Sequence, residues 1–208
     1  MTSGSPIVYI VDDDTSVCRA LALLLKAHGF RVEAFTRAKD FLAFKHPKTI
    51  SCLVSDLRLP NMSGLVLQET MTTQGLAIPI IFISGHGNIP KSVKAMKGGA
   101  VDFLPKPFTV KKLINAIEEA IVKSKALIKE QAEVAKIWRR IKTLSPRELE
   151  VFRLVANGML SKQIAFKRGT SLQVIKVHRS RVMYKMQAKT VTELIHFAQK
   201  AELISPKA

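Results

Sequence analysis

Three adjacent carboxylates, Asp12, Asp13 and Asp14, close a short apolar run in IVYIVDDDTSV. Like charges repel, so three acids where a buried strand leaves the core need a physical reason. A divalent cation is one, and a solvated turn or helix cap is the other. Further along, Asp56 ends the apolar stretch of CLVSDLRLP, Ser84 ends that of IIFISGHG, and Lys106 follows that of VDFLPKPF. These residue types suit phosphoryl transfer. Clustered carboxylates hold Mg²⁺, a hard cation that takes oxygen ligands and keeps several waters. A carboxylate is also a nucleophile that forms an acyl phosphate. Metal and ammonium then neutralise charge on the transferred oxygens. Asp14 fits better as the cap of the helix that follows.

Such residues act together only if the elements bearing them end at one edge. Apolar runs predict strands over Ile7 to Val11, Arg31 to Phe35, Cys52 to Ser55, Ile80 to Ser84 and Val101 to Leu104. Helical patterns lie between them, over Ser16 to His28, Ala38 to Phe44, Gly64 to Thr73 and Pro90 to Lys97. Strands spaced by helices make an α/β fold, a doubly wound five-stranded parallel sheet covered on both faces. Ligands of such a sheet bind beyond the carboxyl ends of its strands. Four strands therefore bring Asp12 with Asp13, Asp56, Ser84 and Lys106 to one edge.

The chain has 208 residues, 47% of them hydrophobic, enough for a folded core. No apolar run is long enough for a membrane span, and the N-terminus lacks a basic-then-apolar signal. Two cysteines in apolar surroundings, Cys18 and Cys52, predict a reduced, cytoplasmic chain with no disulfide framework. The net charge of +17 favours a polyanionic partner, nucleic acid before membrane. It is uneven: 15 basic and 10 acidic residues up to position 123, then 18 basic and 6 acidic beyond.

The pattern changes after Phe108. No Gly or Pro occurs before Pro146, and apolar residues recur every three or four positions from Leu113 to Ile141. One long helix fits, about 50 Å if unbroken, with a break near Ser124 as the alternative. It predicts a first domain over 1–124, a helical linker over 125–142 and a second, all-helical domain over 143–208. There, Ser145 followed by Pro146 and Glu148 has capping-box spacing. Helices from Ser161 to Lys167 and from Leu172 to Lys185, joined by a tight turn at Gly169, predict a helix-turn-helix. On the second of them Ile175, Val182 and Met186 share a packing face. Lys176, Val177, Ser180 and Arg181 fall on the outer face, where such residues reach bases or phosphates.

The ordered set VDDD, SDLRLP, ISGHG and FLPKPF resembles the receiver domain of two-component response regulators, over about residues 5 to 124. The resemblance implies that Asp56 is the phosphoacceptor and that Asp12 and Asp13 hold Mg²⁺ with Asp56 and the Arg58 carbonyl. Ser84 is then the switch hydroxyl, Lys106 the invariant lysine, Phe103 the aromatic switch, and Lys106–Pro107 a cis peptide. His86 stands near the phosphate edge, with a plain loop role as the simpler reading. LSPRELEVF, ANGMLSKQIA and VIKVHRSRVMYKM resemble the LuxR-type helix-turn-helix of the NarL/FixJ family, which includes regulators of aromatic catabolism. By position, Lys162, Lys176, Val177 and Ser180 face DNA, Lys185 and Lys189 meet phosphates, and the helix from Val191 to Gln199 dimerises. The pattern departs at Arg168, where Leu is usual, at Thr170, where an apolar residue is, and at Val174, where Thr is. Burying Arg168 unpaired would be costly, so it should point outward.

The whole resemblance implies a transcriptional regulator and no enzyme. A separate histidine kinase phosphorylates it, after which the receiver dimerises or releases the DNA-binding half. Its partners are promoter DNA, RNA polymerase and a second copy of itself, and activation is the usual outcome. Two rivals remain. A Mg²⁺-dependent phosphohydrolase is opposed by Arg58, which stands where a second acid would be needed. A constitutive DNA binder with a vestigial receiver is opposed by the complete acid, hydroxyl and lysine set.

Overall fold

The computed structural model describes residues 5–85 and 89–204. The chain divides into two compact units between Lys129 and Glu130.

The first unit alternates strand and helix: β1 (Ile7–Val11), α1 (Thr15–Ala27), β2 (Arg31–Phe35), α2 (Ala38–Ala43), β3 (Ser51–Asp56), α3 (Gly64–Thr73), β4 (Ile80–Ser84), α4 (Ile89–Lys97) and β5 (Asp102–Pro105). All pairings are parallel, in the order β2-β1-β3-β4-β5. Side chains alternate across a strand, so each central strand feeds two cores. Val8, Ile10, Cys52, Val54, Ile81 and Ile83 enter the core shared with α1 and the start of α5 (Val110–Ile141). Ile7, Tyr9, Leu53, Ile80 and Phe82 enter the opposite core, with Phe41 of α2 and Leu67 and Met71 of α3. The fully apolar central strands are thus explained by burial on both faces. β2, an edge strand, is largely exposed.

β5 begins one residue later than predicted and ends on Pro105. As the last strand of the sheet it tolerates proline, which has no ladder donor. α5 is an unbroken helix of 32 residues. Ser124 does not break it: the residue is buried, and its hydroxyl accepts a hydrogen bond from the Ser51 backbone N–H at 3.0 Å.

The second unit packs the end of α5 with α6 (Pro146–Ala156), α7 (Ser161–Arg168), α8 (Leu172–Met186) and α9 (Val191–Lys200). Ile137 and Ile141 are buried in one core with Phe152, Val155, Ile164, Ile175, Val182, Met186 and Leu194. The last turns of the expected linker are therefore structural parts of this unit. The start of α6 is capped as the sequence indicates, and α7 begins after Leu160 without a side-chain cap. Ser145 and Glu148 form the capping box of α6, and Ser171 caps α8. Gly169 ends α7 at φ 57°, in the left-handed region that glycine enters without steric cost. Both cysteines are buried and free, and burial pushes the Cys52 thiol up to about 12.

Candidate phosphoacceptor site and candidate DNA interface

The sheet edge gathers its polar residues by register. Val11 pairs with Ser55, Asp56 with Ile83, and Ser84 with Pro105, so the four strands end together. Asp12 is buried just beyond the ladder, and Asp56 and Ser84 are buried at its end. Lys106 Nζ lies between the acids, 3.0 Å from Asp12 Oδ2 and 3.2 Å from Asp56 Oδ1. The other oxygens are also engaged. Asp12 Oδ1 accepts from the Asp14 backbone N–H at 3.0 Å, and Asp56 Oδ2 accepts from that of Arg58 at 2.7 Å. Burial lowers the Lys106 pKa, but the bond to Asp12 and the charges of Asp12 and Asp56 outweigh it, and the net shift is upward. The ammonium thus stays charged where two carboxylates would otherwise repel.

Asp14 caps α1, its carboxylate accepting from the Ser16 and Val17 backbone N–H groups. Asp13 is exposed at the same edge. Among the described residues no three Asp, Glu, His or Cys side chains are gathered as a ready metal cluster. Asp12 and Asp56 share one lysine, and Asp13 faces water. The donor set still fits a hard cation, since Asp12, Asp13, Asp56 and a backbone carbonyl offer oxygen ligands only. Phe103 is half-buried beside the α2–α3–α4 core, in register with Phe82. The Lys106–Pro107 peptide is cis. His86 lies outside the described residues.

In the second unit, burial sorts α8 as its spacing predicted. Ile175, Val182 and Met186 are buried, while Lys176, Val177, Ser180 and Arg181 are exposed. Lys162 on α7 and Lys189 are exposed too. Arg168 points outward and pairs with Glu150, Nη1 to Oε1 at 2.7 Å.

Lys185 is placed differently from the expectation. Its ammonium lies 2.6 Å from Glu148 Oε2 and 3.1 Å from the Thr143 carbonyl. Glu148 is buried and also accepts from the Ser145 backbone N–H at 2.7 Å. The Lys185 bond, helped by that of Ser145, holds the Glu148 carboxyl below the usual carboxylate range against the pull of burial. No local pattern reveals this pair, whose members stand 37 positions apart.

A cluster of two buried acids and a lysine at the edge of a parallel sheet and a helix-turn-helix with an exposed basic face, in one chain, define a two-domain response regulator that acts on transcription. The chain belongs to that family. Residues 8–118 match the response regulator receiver domain, and residues 142–198 match the luxR family of bacterial regulatory proteins. It is 43% identical to Nodulation protein W of Bradyrhizobium diazoefficiens over 95% of this chain and 87% of that protein. It is 42% identical to Transcriptional regulatory protein FixJ of Rhizobium meliloti, over 92% and 94%. Among solved structures, response regulator StyR aligns with a TM-score of 0.74 at 40% identity, covering 94% of this chain and 99% of that one. Full-length FixJ from B. japonicum aligns with a TM-score of 0.55 at 37% identity, covering 99% and 100%.

Proposed function

We propose that Asp56 accepts a phosphoryl group from a histidine kinase and that this modification controls promoter binding by the second domain. The observation carrying the reading is the Lys106 ammonium held between Asp12 and Asp56 at the sheet's carboxyl edge. The Arg58 N–H fixes one oxygen of Asp56 while Lys106 faces the other. That second oxygen attacks phosphorus. The bond from phosphorus to the donor's imidazole nitrogen breaks as the aspartyl P–O bond forms, leaving an acyl phosphate. Asp12, Asp13, Asp56 and the Arg58 carbonyl would hold Mg²⁺, which supplies positive charge to the transferred oxygens when bound. Lys106 then turns from carboxylate to phosphoryl oxygen. Ser84 donates to that group from the next strand, and Phe103 follows it inward, altering the α4–β5 surface.

The modified receiver pairs with a second copy, and α9 supplies the contact between DNA-binding domains. Lys176, Val177, Ser180 and Arg181 read the major groove, and Lys162 and Lys189 meet phosphates. Lys185 we assign to the Glu148 ion pair rather than to DNA. The protein recruits RNA polymerase as an activator.

The test is incubation with acetyl phosphate and Mg²⁺, read by intact mass. Wild type gains one phosphoryl group and Asp56→Asn gains none. Equal labelling of the two proteins overturns the assignment.

A further inference from the structure

α8 carries a second stripe beside its outer face. Val174 and His178, one turn apart, line a cleft of about 200 Å³. Its other walls include Arg147 and Glu150 of α6, and Arg168 and Thr170 at the turn before α8. Three of these six, Arg168, Thr170 and Val174, are the positions that depart from the LuxR-type pattern. The departures therefore change one place. A guanidinium and a hydroxyl enter where apolar side chains are usual, and a hydroxyl is lost at Val174.

The charges in the cleft do not cancel. Arg168 neutralises Glu150 through the 2.7 Å ion pair. Arg147 has no ion-pair partner among the described residues, which leaves one positive charge. His178 Nδ1 is buried without a hydrogen-bond partner among them. An arginine, a hydroxyl and an unsatisfied ring nitrogen around a small space suit an anion with several oxygens.

We propose that this cleft is a phosphate site and that its occupant is one backbone phosphate of the DNA read by α8. The inference rests on the DNA-binding reading above. When the outer face of a helix enters a groove, its flank runs beside the sugar-phosphate backbone. Val174 and His178 are that flank. Arg147 and Thr170 take over the phosphate contact that a threonine at position 174 would make. Glu150 alone would repel the phosphate, and Arg168 is the positioning residue that cancels it.

The experiment is salt-titrated binding to an operator selected from a random pool and to a scrambled duplex. Each variant is checked for folding by the fluorescence of Trp138. Arg147→Ala should weaken both duplexes in equal proportion and lower the slope of log affinity against log salt by about one unit. Arg147→Gln, which keeps the side chain's bulk, should do the same. Glu150→Gln should tighten binding to both. Arg168→Leu should weaken both, and adding Glu150→Gln to it should restore the loss, a rescue that a merely structural role would not give. Unchanged affinity and slope for the Arg147 variants overturn the proposal, as does a loss confined to the operator. In a parallel arm, inorganic phosphate is titrated without DNA and followed at the His178 ring by NMR. A His178 response with unaltered DNA binding by Arg147→Ala would make this a free-anion site and overturn the DNA assignment. Failure of wild type to bind either duplex, with Lys176→Ala equally inert, would sink the DNA-binding reading itself and this inference with it.

Discussion

At the scale of single residues, each unit has a polar cluster governed by where a lysine ends. Lys106 bridges two acids at an exposed edge that a ligand can reach. Lys185 bridges a buried glutamate and a carbonyl that hold a helix start in place. The second arrangement has a pH signature. The Glu148 pKa is depressed in the folded state, so its stabilisation is present above the unfolded carboxylate value and is lost as pH falls through the lower, folded value. Glu148→Gln keeps the shape and an acceptor for Ser145 N–H but removes the ion pair. It should cost about 1–2 kcal/mol at pH 7, discounted because Lys185 remains a third exposed. The gap to wild type should close as the pH falls through that lowered folded value. Trp138, the one tryptophan, lies in the second unit and reports its unfolding. A gap that persisted undiminished at acid pH would mean that packing, not charge, is what Glu148 supplies.

At the scale of elements, one close approach positions the strand that ends in Asp56. Gly64 opens α3 against the end of β3. A Cβ there would sit 2.7 Å from the Asp56 carbonyl oxygen, 2.8 Å from the Phe82 ring and 3.1 Å from Leu57 Cα. Backbone cannot yield as a flexible side chain can, so Gly64→Ala should destabilise the receiver by roughly 1–3 kcal/mol. It should also slow labelling of Asp56 by acetyl phosphate. Thermal unfolding and the labelling rate are the measurements, and a variant with wild-type values in both would show that α3 can move away freely. The sequence revealed the elements well where one physical rule dominates. Alternation and turn signals located β1, β2, β4 and α3 to the residue. The long helix is unbroken, and the alternative break at Ser124 does not occur: its hydroxyl accepts from the Ser51 N–H, a partner 73 positions away. Adjacent side chains at the end of β1 differ in burial: Asp12 is buried at the edge and Asp13 is exposed. His46 carries no sequence signal, yet its ring stands edge-on to Tyr9 at 4.9 Å within a cluster of Phe41 and Phe44. Local spacing supplied candidates for the site, but the pairing of its charges depends on tertiary approach.

At the scale of the whole molecule, the question is where one folding unit ends and the next begins. Composition alone draws the line after the helical linker, at residue 143. Packing draws it between Lys129 and Glu130, because Ile137 and Ile141 are 4% and 5% exposed within the second core. Each buried isoleucine is worth about 1.5–3 kcal/mol relative to exposure, an upper figure because unfolded chains already bury some surface. Small domains have little stability to lose, since the net is a small difference between large opposing terms. A fragment starting at Glu130 should therefore fold cooperatively and bind DNA without the receiver. A fragment starting at Thr143 should lose roughly 3–6 kcal/mol, most of what a domain this size possesses. Lys200 would also lose Glu133, its ion-pair partner on α5 at 2.5 Å. Urea unfolding of the two fragments, followed by circular dichroism, decides the matter. Equal midpoints would show that the end of α5 is a passive connector. A shorter fragment that fails to fold while the longer one melts cooperatively would show that the end of α5 is built into the core of the second unit. A signal carried along α5 would then arrive inside the domain that reads the promoter.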